Sequence, residues 1–525
     1  MSSDRESRTA PGAGGGEAEP PAADADIESV VSYSDGPRRN TAFGFATQMT
    51  TAAFTAVLTV YLVRALGPSS YGVFVLAIGV GSLALLPSDF GLSQSVARFI
   101  AERRSDRVAA RDVLSQGLRL KLLAGAIASV VLVAAAEPIA SAYGNHHLVW
   151  PLRWVALAVF AQGLVGFFTG VFVAFRKVSV ALRMVFAESV VETSASIVLV
   201  LAGGGAAGAV LGRACGYVVG AFIGLILASR LLGRPSIRRG NRGIGNMPSI
   251  ARYAGAMLII EAAYTAINQF DVILIGAVLG SAAVGKFGAV VRLISFLGYV
   301  GNAVTGGVAP RLARGPGETP DVRTFARGLR FVVVFQTALV APLLVWADPI
   351  VDLVLGRGYA VSADVMRVLA PTAFLTGIAP LVSIGVNYLG EARRRVPILL
   401  ATMVLSFGLT ILLLNTVGLL GAAAANVATT AAYIGAHLWI CRRLIGLDLW
   451  PLAASLARGL TAAGAMALVL LAVGTSSLSP VQLVGGAAAG LLAFCATLLA
   501  TREVSLDEAR SAGRAIIARI GRSPA

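Results

Sequence analysis

Residues 64–104, RALGPSSYGVFVLAIGVGSLALLPSDFGLSQSVARFIAERR, decide the fold because the stretch occurs twice. Adding 213 lands on residues 277–317, AVLGSAAVGKFGAVVRLISFLGYVGNAVTGGVAPRLARGPG, where Leu66, Gly67, Gly72 and Phe74 meet Leu279, Gly280, Gly285 and Phe287. Arg98 in the first copy meets Arg311 in the second. Each copy joins two apolar runs through a tight turn and ends in a cluster of arginines.

Working outward, 56% of the 525 residues are hydrophobic and 13% charged. Apolar runs of roughly twenty residues, each able to cross a bilayer as a helix, recur from residue 40 to residue 500. The composition predicts an all-α polytopic membrane protein with no sizeable aqueous domain, since the longest polar gap inside it, about residues 230–252, is too short for a core. The net charge of +16 lies between spans, so it is read as topology rather than nucleic-acid binding. Cys215, Cys441 and Cys495 are scattered in or beside apolar runs without metal-ligand spacing and imply no disulfide framework.

Fourteen spans are predicted, at about 40–63, 73–98, 118–136, 151–173, 182–202, 207–229, 253–279, 287–309, 329–347, 366–389, 396–414, 418–440, 457–474 and 481–500. Arginines concentrate in the loops after even-numbered spans, for example Arg103, Arg104, Arg107 and Arg111, or Arg393, Arg394 and Arg395. Because Lys and Arg resist translocation, the bias predicts a cell-membrane protein with both termini cytoplasmic.

The repeat continues past the hairpin: Arg153, Phe160 and Gly163 are echoed by Arg367, Phe374 and Gly377, and Gly208 and Ala209 by Gly421 and Ala422. The expected organisation is an N-lobe (38–230), a basic cytoplasmic linker (231–252), a C-lobe (253–443) and two further spans (444–500). Residues 1–37, with eight acids to two arginines and many Gly, Pro and Ala, read as a disordered cytoplasmic tail. Residues 501–525 read as an amphipathic cytoplasmic helix, opening on the Ser505 and Glu508 capping box.

Two lobes related by a parallel repeat enclose a central cleft, and polar groups inside spans are the candidates to line it. Glu261, Tyr264, Asn268 and Asp271 share one face of span seven, and Arg292, Ser295, Tyr299 and Asn302 repeat those offsets on span eight. Asp271 and Arg292 fall at similar depth, which fits either a salt bridge or a substrate or ion site. Asp89 is the repeat partner of Asn302. Glu188 and Glu192 lie one turn apart on span five, an arrangement compatible with ion coupling. Arg213 sits inside span six, and Arg153 and Arg367 hold matching external positions; arginine there suits a phosphate, which it can grip with two bonds.

No catalytic signature is found and no cofactor is expected. GlySerAlaAlaValGlyLys at 280–286 resembles a phosphate-binding loop, but Phe287 stands where Ser or Thr is needed. His146, His147 and His437 form neither a metal set nor a triad.

The first hairpin and its echo around LGSAAVGKFGAVVRLISF, set in some fourteen spans over residues 38–500, resemble the polysaccharide-transport (Wzx-like) flippases of the MOP exporter superfamily. The resemblance implies a flippase moving an oligosaccharide on a polyprenyl-diphosphate anchor from the inner to the outer leaflet by alternating access, for cell-surface polysaccharide export. Membrane lipids, and a polysaccharide polymerase and glycosyltransferases, would be its partners. It further implies a cationic cavity, for which Arg213 and Arg292 are best placed, then Arg153 and Arg367, with Asn268, Asn302 and Tyr299 beside them. Asp89, Glu261, Asp271, Glu188 and Glu192 leave room for cation coupling. The alternatives are a cation-coupled multidrug antiporter of the same superfamily, a lipid II-type flippase and, less well matched because the external loops are small, a membrane glycosyltransferase or polymerase.

Overall fold

Two glycines, Gly67 and Gly280, make the two hairpin turns. Their φ values of 67° and 79° lie in the left-handed region, which a side chain disfavours. The computed structural model describes residues 37–103, 106–233, 247–312, 320–476 and 478–504. The expected tail at 1–37, the body of the basic linker and the C-terminal amphipathic helix therefore lie almost wholly outside the described residues.

The first lobe comprises α1 (Pro37–Asp89), bent at Gly67, then α2 (Leu92–Glu102), α3 (Arg107–Ala142), α4 (Val149–Ala174), α5 (Val178–Leu199) and α6 (Gly205–Leu232). The second comprises α7 (Met247–Leu279), α8 (Ser281–Leu297), α9 (Tyr299–Val308), α10 (Val322–Val345), the short α11 (Ala347–Val354), α12 (Val361–Tyr388), α13 (Arg395–Val417) and α14 (Leu419–Ile445). The hairpin of α15 (Trp450–Val473) and α16 (Pro480–Ala500) completes the bundle. Among the described residues eleven helical stretches are long and apolar enough to span a bilayer. Fourteen predicted spans are compatible with that number, because Ala42–Asp89 and Val178–Leu232 each contain two of them and span eight is divided at Gly298 into α8 and α9. Span two, predicted unbroken to residue 98, is interrupted at Phe90 and Gly91, whose φ values are 44° and 67°.

The duplication is visible in local chemistry. Asp106 caps α3 by accepting from the backbone N–H of Val108 and Ala109, both at 3.0 Å, and Asp321 caps α10 at Thr324 N–H, also 3.0 Å. A Cβ at Gly163 would meet Lys121, whereas one at Gly377 would run into Gln336, so matched glycines of α4 and α12 admit one long polar side chain in each lobe.

Glycine also sets the close approach of α5 and α6. Gly208, Gly212, Gly216, Gly220 and Gly224 recur every fourth residue along α6, and Cβ atoms there would meet Leu199, Ser196, Glu192, Glu188 and Met184. Small residues at this spacing let backbones approach where lipid offers no hydrophobic drive for helix pairing.

The two repeated turns pack on each other. A Cβ on Gly72 would penetrate the Ser281 carbonyl and one on Gly285 the Pro68 carbonyl, so the contact is reciprocal between repeat-equivalent glycines. Further ties join the lobes at this turn end. Arg64 donates to the Leu353 carbonyl and, at 3.1 Å, to that of Val354 at the end of α11, where the helix dipole favours a cation. Tyr359 Oη donates to the Val63 carbonyl (3.2 Å) and Tyr143 Oη to that of Ile273 (3.2 Å).

α15 and α16 are held against α10 by Trp346, whose indole N–H donates to the Gly474 carbonyl at 2.9 Å, and by Glu503, which accepts from Arg330 (2.6 Å) and Arg458 (2.8 Å). Burial opposes ionisation of Glu503, but hydrogen bonds from Ser455, Arg330 and Arg458 prevail and hold its carboxyl below the usual range. A depressed carboxylate stabilises the fold above its unfolded pKa of about 4.3 and loses that contribution as pH falls through its lower folded value. Thermal unfolding of the detergent-solubilised protein should therefore lose Tm as pH falls below about 4, with the contribution intact at neutral pH. Glu503→Gln should start from a lower Tm and show a shallower decline; parallel curves for the two would refute the clamp.

Candidate functional site

The glycine ladder brings Glu192 of α5 against Arg213 of α6. Arg213 Nη1 lies 2.7 Å from Glu192 Oε1, Nη2 donates to Tyr217 Oη at 2.6 Å, and the guanidinium sits 5.1 Å from the Tyr217 ring centroid. Glu188, one turn away, is buried beside Gly220. Of the two glutamates, Glu192 holds the arginine and Glu188 is buried one turn away.

Arg292 approaches the same tyrosine from the second lobe. Its side chain is exposed, has no ion-pair or hydrogen-bond partner among the described residues, and acts electrostatically on Tyr71 and Tyr217 of the first lobe. The charges of two arginines, one neutralised by Glu192 and one available, therefore reach Tyr217. An uncompensated guanidinium in an apolar protein is a strong attractor for an anion.

The anticipated Asp271–Arg292 pairing does not form. Asp271 is turned toward α13 and α14, where it accepts from Thr410 Oγ1 at 2.8 Å and Asn426 Nδ2 at 2.7 Å, and it is 3% exposed. Helix rise sets depth, whereas which face each residue takes depends on helix rotation, set by neighbours that are distant in sequence. The rest of the span-seven stripe stays open: Glu261, Tyr264 and Asn268 are exposed, with Asn268 Nδ2 donating to the Tyr264 carbonyl at 2.7 Å. Tyr299, stacked on Phe296, and Asn302 are half-buried on α9.

Arg153 and Arg367 are engaged within their own lobes. Arg153 lies 3.9 Å from Glu137 and over Trp150, and Arg367 pairs with Asp348 and, at 2.7 Å, with Asp364. These matching pairs tie the ends of consecutive helices, so neither arginine is the free cation the external position suggested.

Asp89 is bonded by Lys121 Nζ and by Ser93 Oγ. Lys121, 2% exposed, was not singled out in the sequence, although a lysine within a predicted apolar span is itself a signal. Its counterpart under the matching glycine is the fully buried Gln336, which donates to the Leu297 carbonyl at 3.2 Å. The Arg213–Glu192 pairing was likewise missed; the glycines at 203–205, read as the hairpin turn, would have set the register.

Two helical lobes, duplicated in parallel around a polar seam with an available arginine, define a multi-pass bundle of membrane-length helices. A profile described as "Polysaccharide biosynthesis protein" matches residues 38–315, more than half of the chain, and the protein belongs to that family. It is 22% identical over 381 residues, covering 72% of this chain and 77% of the relative, to the "Probable low-salt glycan biosynthesis flippase Agl15" of Haloferax volcanii. Among solved structures, a lipid II flippase MurJ in an inward closed conformation aligns with a TM-score of 0.71 at 11% identity, over 88% of this chain and 99% of the other. An inward-facing multidrug resistance MATE family transporter aligns with a TM-score of 0.58 at 18% identity, over 80% and 98%. At these identities the likeness concerns the fold.

Proposed function

We propose that the protein is a flippase that carries an oligosaccharide linked to polyprenyl diphosphate from the inner to the outer leaflet by alternating access. The observation that carries this reading is Arg292, an arginine of the second lobe without a counter-ion among the described residues, whose charge reaches Tyr217 beside Arg213. A diphosphate brings the negative charge that such a guanidinium lacks, and Arg213, held by Glu192, adds donors without adding net charge. The closed turn end supports loading from the opposite, arginine-rich end, which the positive-inside rule assigns to the cytoplasm. The relative described as a glycan biosynthesis flippase supports the same substrate class. Measuring how much lipid-linked oligosaccharide is accessible at the outer leaflet, in cells with and without the gene, tests the reading. Equal outer-leaflet pools would overturn it.

Asp271 favours coupling to a cation: it is a buried carboxylate bonded to two neutral side chains, with no cationic side chain bonded to it among the described residues. Asp271→Asn keeps the size but removes the charge and turns one of the two accepting oxygens into a donor. Export by this variant is expected to fall roughly tenfold, the effect of losing one charge-assisted interaction. It should also lose any response to an imposed ion gradient in proteoliposomes. The multidrug-antiporter reading predicts instead that Asp89 or Glu261 is essential and Arg292 dispensable.

A further inference from the structure

The second helix of the first lobe is interrupted at Phe90–Gly91, where both residues take positive φ. A discontinuous membrane helix gives backbone and polar side chains to a ligand instead of to a continuous helix. Beside this interruption lies a cavity of about 360 Å³, within the ~300–1,000 Å³ common for small-molecule sites. It is built across the lobes, from Asp89, Gln94, Lys121 and Gln162 of the first and Glu261 and Thr265 of the second.

The chemistry of this lining differs from that around Arg292. Asp89 and Lys121 neutralise each other. Gln94, Gln162, Glu261 and Thr265 have no hydrogen-bond partner among the described residues, which leaves amide donors and acceptors, a hydroxyl and one carboxylate facing a space of molecular size. Arg395, whose charge reaches Glu261, is occupied by Asn387 at 2.8 Å and by Tyr433 and does not line the cavity. Closely spaced amides and carboxylates without partners match the alternating donors and acceptors of sugar hydroxyls. They match neither a phosphate, which needs cations, nor an apolar chain.

We propose that this cavity is a carbohydrate subsite that binds a neutral hexose or N-acetylhexosamine of the cargo and disfavours an acidic sugar through Glu261. It rests on the flippase reading and adds to it a division of labour: Arg292 and Arg213 for the anionic linkage, the interrupted helix for the glycan. Counting from the two turns, Asp89 lies ten residues deeper than Arg292, or about 15 Å at about 1.5 Å per residue. That spacing places the glycan toward the arginine-rich end.

The test is the affinity of the purified full-length protein in nanodiscs for three probes: farnesyl diphosphate, and the same diphosphate bearing N-acetylglucosamine or glucuronic acid. The N-acetylglucosamine probe should bind roughly tenfold tighter than the bare diphosphate, the worth of one or two hydrogen bonds, and the glucuronic acid probe more weakly than the N-acetylglucosamine one. Gln94→Leu and Gln162→Leu should each reduce the gain from N-acetylglucosamine while leaving the bare diphosphate unchanged, and Glu261→Gln should narrow the discrimination against glucuronic acid. Arg292→Ala should weaken all three probes alike. Equal binding of bare and N-acetylglucosamine probes by the unmodified protein, or a gain that survives both glutamine substitutions, overturns the subsite and leaves the flippase reading standing. Failure of every probe to bind, with no effect of Arg292→Ala, overturns the flippase reading and the subsite with it.

Discussion

Arg292→Ala is expected to abolish export of lipid-linked oligosaccharide while the protein remains folded and inserted. The side chain is exposed and makes no ion pair or hydrogen bond among the described residues, so truncation removes no structural bond. What it removes is the single uncompensated positive charge described on this seam. A charge-assisted hydrogen bond is worth about 1.5–3 kcal/mol, and a diphosphate held at two oxygens loses two, so a fall of at least a hundredfold follows from binding alone. Arg292→Lys keeps the charge but not the planar fork and should retain partial activity. Arg213→Ala is a poorer probe, because it strands Glu192 next to buried Glu188 and should cost stability as well as transport. Outer-leaflet accessibility of the lipid-linked glycan, normalised to protein in the membrane fraction, separates these cases. Export by Arg292→Ala at the unmodified level would remove the residue from the mechanism.

Gly285→Val is expected to block export through conformation instead of binding. Gly285 lies against the Pro68 carbonyl, and its repeat partner Gly72 against that of Ser281, so neither position has room for a Cβ. Overpacking costs about 1–3 kcal/mol even where side chains can yield, and here the obstacle is backbone on both sides. That is enough to move a two-state equilibrium by roughly ten- to a hundredfold away from the closed seam. Cysteines introduced as Ser69→Cys and Ala282→Cys, with Cys495 replaced, should cross-link readily in the otherwise unmodified protein and poorly with Gly285→Val. Gly72→Val should do the same, because the contact is reciprocal. Undiminished cross-linking in both variants would mean that the lobes meet elsewhere.

Much of the architecture was legible because it follows from solvation and helix geometry. Runs of apolar residues must become helices in a bilayer, since no water is present to satisfy a free backbone, and arginines accumulate at one end because they resist translocation. The repeat was legible because Gly67 and Gly280 do the same conformational work. The interruption of the first lobe's second helix was not predicted. Apolarity continues across Phe90, and a single glycine within an apolar run does not disclose whether the chain bends there.

The candidate site was legible as a set of residues and not as a set of partners. Glu261, Asn268, Arg292 and Arg213 could be picked out from the cost of placing polar groups in an apolar span. The Asp271–Arg292 pairing failed, and Lys121 escaped notice, because depth along a helix follows from counting residues while partnership does not.

The sequence by itself determined that this chain is a duplicated bundle of membrane helices and which polar groups lie within it. Only the tertiary structure decided that Asp271 belongs to Thr410 and Asn426, that Arg213 is held by Glu192, and that Arg292 is left without a counter-ion among the described residues. The reason is physical: helix rise is fixed at every residue, whereas helix rotation is settled by packing, here by glycine contacts such as Gly72 with Gly285 and Gly216 with Glu192, between residues far apart in the chain.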